Sequence, residues 1–267
     1  MKYKMLVSDL DGTLLDNNSL VTPMVKAAIA EAETRGVRVV LSSGRCFVTM
    51  RQYEEALNLH TPGHYSIAFN GGYIYETDTH KPIFDRRLRP ELSKEIICAI
   101  KSQKANLIVY VGSKLYYERL DESVNTYGRV TKMPLTPIDD FCEIEEEISK
   151  ILITGDHEDL LAIYDNLKDF ALGRCNTFFS SARLLEYCPL EAHKGLGVEF
   201  LCRYLDIDPG EVIAVGDYDN DISMIIRAGL GIAVQNAVSA VRDAADIITN
   251  STNNDGAIRE VIEKYLK

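Results

Sequence analysis

Four of the five aspartates in two short stretches far apart in the chain could share one site. Asp9 and Asp11 lie in Asp9-Leu10-Asp11-Gly12-Thr13, and Asp217 and Asp221 in Gly216-Asp217-Tyr218-Asp219-Asn220-Asp221. Brought within a few ångströms, these carboxyls would raise one another's pKa unless a dication sat between them. Carboxylate and carbonyl oxygens with no Cys or His alongside favour Mg²⁺ over zinc. An EF-hand is excluded at both places. Counting from Asp217, the sixth and twelfth positions hold Ile222 and Ala228 instead of Gly and Glu, and from Asp9 they hold Leu14 and Leu20.

Phosphoryl transfer needs an in-line nucleophile, a metal to neutralise the equatorial oxygens, cationic and N–H donors, and an acid for the leaving group. A carboxylate can attack phosphorus and form an aspartyl-phosphate, splitting one slow displacement into two faster ones. Asp9 is the candidate nucleophile. Asp11, two residues on, is placed to protonate the leaving alcohol and then to deprotonate water. Gly12 lets the backbone approach a phosphate closely. Ser43 offers a hydroxyl, and Lys194 offsets negative charge on phosphate and nucleophile alike. Taken singly, each piece has a plainer reading, since Asp-Gly is a common turn, Asp and Ser are common helix caps, and a lone lysine is usually solvated.

Position makes the pieces converge. Tyr3 to Ser8 is a short apolar run of the kind found in buried parallel strands. Thr22-Pro23 reads as an N-cap followed by proline in the first turn, with the helix ending at Gly36, and Val37 to Leu41 is again β-branched. Strand, helix, strand is the unit of a parallel α/β sheet. Ser66 to Phe69 gives a third strand. Asn70-Gly71-Gly72 then turns into Tyr73 to Tyr75 and, past a polar loop, Pro82 to Phe84, a small antiparallel flap.

From about Pro90 the rhythm changes. A helix through Ile100 precedes a hairpin, Leu107 to Val111 and Leu115 to Glu118, and helices and strands then mix. Alternation resumes after Leu185. Lys194 to Tyr204 is helical and Glu211 to Val215 is a strand, with a helix starting at Asn220 to Arg227. Strands follow at Leu230 to Val234 and Ile247 to Thr249, with helices at Ala237 to Asp243 and Gly256 to Tyr265. The expected fold is therefore α/β, a Rossmann-like parallel-sheet core from residues 1–84 and 186–267 with an α+β domain, 85–185, inserted. Asp9, Ser43 and Asp217 each follow a strand, and in an open α/β sheet ligands bind outside the carboxyl ends of the strands.

Composition excludes several partners. Lys and Arg total 29 against 40 Asp and Glu, a formal charge of −11, with no basic patch to bring a nucleic acid or an anionic membrane. That acidic balance also opposes a phosphate ester unless a local cation reverses the field. The six cysteines stand apart with no C-x-x-C pair and no His at ligand spacing, which argues against a zinc site or a redox dithiol, and inert, mostly buried thiols are expected. The N-terminal apolar run reads as too short for a signal peptide, and no stretch approaches the ~20 apolar residues of a membrane span. A cytoplasmic protein is expected, monomeric or a weak homo-oligomer. His60, His64, His80, His157 and His193 are scattered, with loop or surface placement the expectation and only His193 near the site. The tyrosines of the insert, Tyr116, Tyr117 and Tyr127, suit a packed core better than a sugar-stacking platform. Glu143 to Glu147 reads as a solvated helix face.

DLDGT, the Ser43-Gly44-Arg45 after the second strand, Lys194-Gly195 and the GDxxND stretch together resemble the haloacid dehalogenase superfamily of phosphatases. LSSGR, the Asn70-Gly71-Gly72 flap and GDYDNDISM are more narrowly similar to its Cof-type members, whose α/β cap sits between the second and third motifs. The resemblance implies Asp9 as nucleophile and Mg²⁺ ligand, and Asp11 as acid/base with its carbonyl on the metal. Asp217 would be a further ligand, and Asp221 a support, direct or through water. It puts Ser43, Gly44 and Lys194 on the transferring phosphate, and Asn220, Asn70 and Arg45 on phosphate or substrate. The implied activity is Mg²⁺-dependent hydrolysis of a small phosphate ester, such as a sugar phosphate. The alternatives are a sugar phosphomutase and a non-catalytic metabolite-binding module on the same fold. Tyr218 and Asp219 stand where the family often has small or glutamate residues, and Ser43 where threonine is commoner.

Overall fold

A computed structural model describes residues 2–266. The chain begins with β1 (Met5–Ser8), α1 (Pro23–Thr34), β2 (Arg38–Ser42) and α2 (Phe47–Ala56), followed by β3 (Tyr65–Ala68) and the hairpin β4 (Tyr73–Glu76) and β5 (Pro82–Asp85). A middle stretch carries α3 (Pro90–Ser102), β6 (Leu107–Val111), β7 (Lys114–Tyr117), α4 (Glu122–Thr131) and β8 (Leu135–Pro137), then β9 (Lys150–Thr154), α5 (His157–Ala171), β10 (Asn176–Ser181) and β11 (Leu184–Cys188). The last part holds α6 (Lys194–Leu205), β12 (Val212–Gly216), α7 (Ile222–Arg227), β13 (Leu230–Ala233), α8 (Ser239–Ala244), β14 (Ile247–Ile248) and α9 (Ala257–Tyr265).

Two sheets result. The larger has the order β14-β13-β12-β1-β2-β3-β4-β5, parallel from β14 through β3 and antiparallel for the final hairpin. Its central strands β1 and β12 are buried along their whole length, because helices cover both faces of a parallel sheet. The smaller, β10-β11-β9-β6-β7-β8, is antiparallel except for its last pair. Its β11 straddles the 185/186 boundary expected from the sequence and runs on to Cys188.

Local rules set most of these elements. The Thr22 side chain accepts the Val25 N–H at the start of α1, with Pro23 in the first turn. Helix α2 has no counterpart among the elements expected from the sequence. Glu143 to Glu147 is exposed apart from Ile144, but it is not a helix: a single turn at Phe141–Glu143 ends with Ile144 in an extended conformation. Ile144 packs into the smaller sheet's core, and that anchoring overrides the helical propensity of the glutamates. Two of the six thiols, Cys98 and Cys142, are exposed, and the other four are buried. No helix among the described residues is long and apolar enough to cross a membrane.

The sheets are not separate bodies. One continuous apolar cluster runs from Met50, Phe69 and Tyr73 beside the large sheet to Tyr110, Leu115 and Tyr127 of the small one. The Phe69 and Tyr110 rings meet edge to face at 5.6 Å.

Candidate active site

Strand β1 lies between β12 and β2, with Ser8 level with Val215 on one side and Leu41 on the other. The order of connection reverses at β1, with β2 and β3 added on one side and β12 to β14 on the other, which opens a crevice at the strands' carboxyl ends. Asp9 is the first residue past β1, and its N–H donates to the Val215 carbonyl at 3.0 Å. The chain then turns sharply through Gly12 at φ +79°, where a side chain would run into the Asp217 carboxylate. Asp217 follows β12, and Ser43 follows β2. All three loops therefore open on one cleft of about 320 Å³, lined also by Asp11, Gly44, Arg45 and Asn220.

Lys194, the first residue of α6, is fully buried beneath this cleft. Its ammonium is bonded to Asp9 Oδ1 and lies 2.5 Å from Asp221 Oδ1. The other oxygen of Asp221 accepts the N–H groups of Asp217 (2.9 Å) and Tyr218 (3.1 Å), so this carboxylate holds both the lysine and the loop after β12. Oxygens of Asp9, Asp217 and Asp221 lie within 4.8 Å of one another.

The electrostatics follow from that crowding. Burial, followed by the neighbouring Asp221, raises the Asp217 carboxyl to about 7. Asp9 is also pushed well up by burial. Lys194 pulls against the shift, while Asp221, Asp217 and Asp11 reinforce it. Burial disfavours the charged form of Lys194, but Asp221 and Asp9 outweigh it and the lysine stays an ammonium. One cation does not balance this set. An all-oxygen donor group with excess negative charge and almost no water fits a hard divalent ion such as Mg²⁺.

Asp11 points elsewhere. Arg45 grips it with two bonds, Nε to Oδ2 at 2.7 Å and Nη2 to Oδ1 at 2.6 Å. Arg45 is thereby tied to a carboxylate within the site instead of being free for a ligand. Asn70 also departs from expectation. It is wholly buried behind the cleft wall, where Asn220 Nδ2 donates to its Oδ1 at 2.9 Å and its own Nδ2 donates to Glu186 at 3.1 Å.

Several participants were not singled out in the sequence. The Thr13 hydroxyl donates to Asp217 Oδ1 at 2.9 Å, and Asn236 Nδ2 donates to the Gly12 carbonyl at 2.8 Å. Lys150 and Glu186, on the adjacent strands β9 and β11, form an ion pair at 3.0 Å with exposures of 1% and 2%. Lys150 also donates to the Gly44 carbonyl at 2.8 Å, and Ser180 donates to Glu186 at 2.6 Å. Both charged residues line the same cleft as Asp9. A clue was present, because each stands as the one charge in an apolar strand, Lys-Ile-Leu-Ile-Thr and Leu-Leu-Glu-Tyr-Cys. Tyr127 and Tyr218 complete the wall. His193 caps α6, its Nδ1 accepting the Leu196 N–H at 3.2 Å, and does not line this cleft.

Residues 6–262 match a family model described as haloacid dehalogenase-like hydrolase. The chain is 31% identical over 271 residues to YxeH of Bacillus subtilis, whose name places it among the phosphatases, with 99% of each chain covered. It is 28% identical over 259 residues to YcsE of the same organism, named a 5-amino-6-(5-phospho-D-ribitylamino)uracil phosphatase, covering 97% of this chain and 94% of the other. Among solved structures, a haloacid dehalogenase-like hydrolase from Bacteroides thetaiotaomicron superposes with a TM-score of 0.86 at 30% identity, covering 98% of this chain and 99% of that one.

Proposed function

The chain belongs to the haloacid dehalogenase-like hydrolase family, and from that premise we propose that it is a Mg²⁺-dependent phosphatase of small phosphomonoesters that works through an aspartyl-phosphate on Asp9. The observation that carries this reading is the Asp9 carboxylate at the carboxyl end of β1, bonded from below by the fully buried Lys194. One oxygen is steadied by the ammonium and the other is left to attack phosphorus. Ser43, and N–H groups of the tight Asp9–Thr13 turn, are assigned to the equatorial phosphoryl oxygens.

In the first half-reaction Asp9 forms the new P–O bond, the ester P–O bond breaks, and the leaving oxygen takes a proton from Asp11. In the second, water attacks phosphorus, Asp11 accepts its proton, and free Asp9 and phosphate are restored. Carrying the proton requires Asp11 to give up one of its bonds to Arg45, so we assign Arg45 the positioning of Asp11. Asp9, Asp217 and the Asp11 carbonyl would hold Mg²⁺, with Asp221 acting through the backbone and lysine it supports. When bound, the ion supplies charge neutralisation for the phosphoryl group.

We assign residues 85–185, with β11, the role of a cap over the cleft that excludes bulk water and reads the leaving group. The cleft volume is at the small end of ligand sites. Its far wall of Ser180, Ser181, Glu186, Lys150 and the Tyr127 ring suits a hydroxyl-bearing group, as in sugar or polyol phosphates, and the phosphoribityl compound in the name of YcsE is of that kind. Asp9→Asn is expected to abolish phosphate release from an aryl phosphate in Mg²⁺ without loss of the folded state. Turnover within about tenfold of wild type would exclude Asp9 as the nucleophile.

A further inference from the structure

The end of α2 and the turn between β4 and β5 bring together three residues that do not line the cleft and that the phosphatase chemistry does not use. One ligand atom each from Glu54, His60 and His80 lies within 4.8 Å of the other two. Glu54 is 0% exposed, and its Oε1 accepts the Tyr75 hydroxyl; the Ser66 hydroxyl lies near the same carboxylate, but Oε2 has no hydrogen bond of good geometry. His60 Nδ1 and His80 Nε2 are likewise buried without a partner. Asp78, in the same turn, has a buried oxygen in the same condition.

Buried polar atoms are almost always paired, so several orphans at one point require a shared explanation. Direct pairing does not supply it, because none of the three side chains donates to another through these atoms. Their spacing instead suits a bridging atom. Donors about 2.0–2.1 Å from a tetrahedral zinc stand roughly 3.3 Å from one another, a separation that small rotations of these side chains would reach. The ligand chemistry differs from that of the aspartate site. Two imidazoles and one carboxylate favour zinc or a similar transition ion over Mg²⁺. Tyr75, holding the second carboxylate oxygen, is the outer partner that such ligands ordinarily have. The rings are fixed as well: His80 packs edge-on to Tyr75 at 5.6 Å, and its centroid lies 5.6 Å from that of His60.

We propose that Glu54, His60 and His80 form a second, structural metal site for a divalent transition ion of the zinc class, clamping the β4–β5 turn to the end of α2. The fourth position is left for solvent. The site is independent of the phosphatase reading. None of Glu54, His60 and His80 lines the aspartate cleft, and none bonds to a residue assigned to the phosphoryl chemistry.

The test uses the untagged full chain, stripped with chelator and then kept in excess Mg²⁺ so that the aspartate site is filled. Zn²⁺ is titrated in competition with a chromophoric chelator. The wild type is expected to take up a single tight equivalent, and His60→Gln and His80→Gln to bind it about 100-fold more weakly or not at all. Phosphate release in Mg²⁺ should stay within about twofold of wild type in His60→Gln. X-ray absorption at the zinc edge of the wild type, which needs no variant to fold, should show scattering from two imidazoles. No tight equivalent in the presence of Mg²⁺, equal uptake by wild type and His60→Gln, or an all-oxygen shell would each overturn the proposal.

Discussion

Lys194 and Lys150 are both buried, both are paired with carboxylates, and they serve different ends. Lys194 sits between two carboxylates on different loops, so its charge assembles the site. Lys150 and Glu186 neutralise each other within one sheet, and the bonds they extend to Gly44 and Asn70 join that sheet to the loops of the other. If the two sheets part, the pair stays intact and only the outer hydrogen bonds exchange for water. Removing one partner strands the other. Lys150→Met is expected to cost about 3–5 kcal/mol in urea unfolding, and Lys150→Met/Glu186→Leu to recover more than half of it, because an apolar pair replaces a buried charge. Recovery of nothing would mean that the pair's outer hydrogen bonds, and not the stranded charge, carry the loss.

At the scale of elements, the short connection from β3 to β4 positions most for its size. Phe69 and Asn70 both adopt positive φ, 48° and 54°, and Gly71 follows at 100°. Asn tolerates that region, whereas for Phe it costs of order 1–3 kcal/mol and persists only because surroundings over-determine it. Here those surroundings are the Tyr110 ring against Phe69 and the hydrogen bonds of Asn70 to Ser43, Asn220 and Glu186. A side chain at Gly71 would strike the backbone carbonyl of His193, just before Lys194. Gly71→Ala should therefore lower stability by roughly 2–4 kcal/mol and reduce phosphate release, read by urea unfolding and initial rates. An unchanged midpoint would show that the contact with α6 yields easily. The sequence marked this segment as a turn by its Asn-Gly-Gly, but the consecutive left-handed residues came from packing that no local signal carries.

Over the whole molecule the formal charge is −11, and the crowded carboxylates concentrate part of it at one point. Asp217 has its folded pKa raised from 3.8 to about 7, and Asp9 is raised in the same direction. Between the unfolded and folded values the native state binds more protons than the unfolded chain. Stability of the metal-free protein should then fall as pH rises from about 4 to 7. Bound Mg²⁺ favours the charged carboxylates and should flatten that fall, as should Asp217→Asn. Urea midpoints across this range in chelator and in Mg²⁺ would measure it. A slope that is the same with and without Mg²⁺ would remove Asp217 from the ion's surroundings.

The sequence by itself determined the parallel α/β core, the order of its strands and of its helices other than α2, the loops carrying Asp9, Ser43 and Asp217, and the helix that Lys194 opens. Those features are local, fixed by apolar runs, caps and turn residues, and in an open sheet loops after neighbouring strands must meet. Only the tertiary structure decided which side chains each of these residues faces. It turned Asp11 toward Arg45, buried Asn70 behind the cleft, and brought Lys150 and Glu186 from the middle stretch to its far wall. It also set His60 and His80 beside Glu54, which sequence spacing had spoken against. Such pairings depend on how two sheets and a hairpin pack in three dimensions, and the distance between residues along the chain holds no record of that.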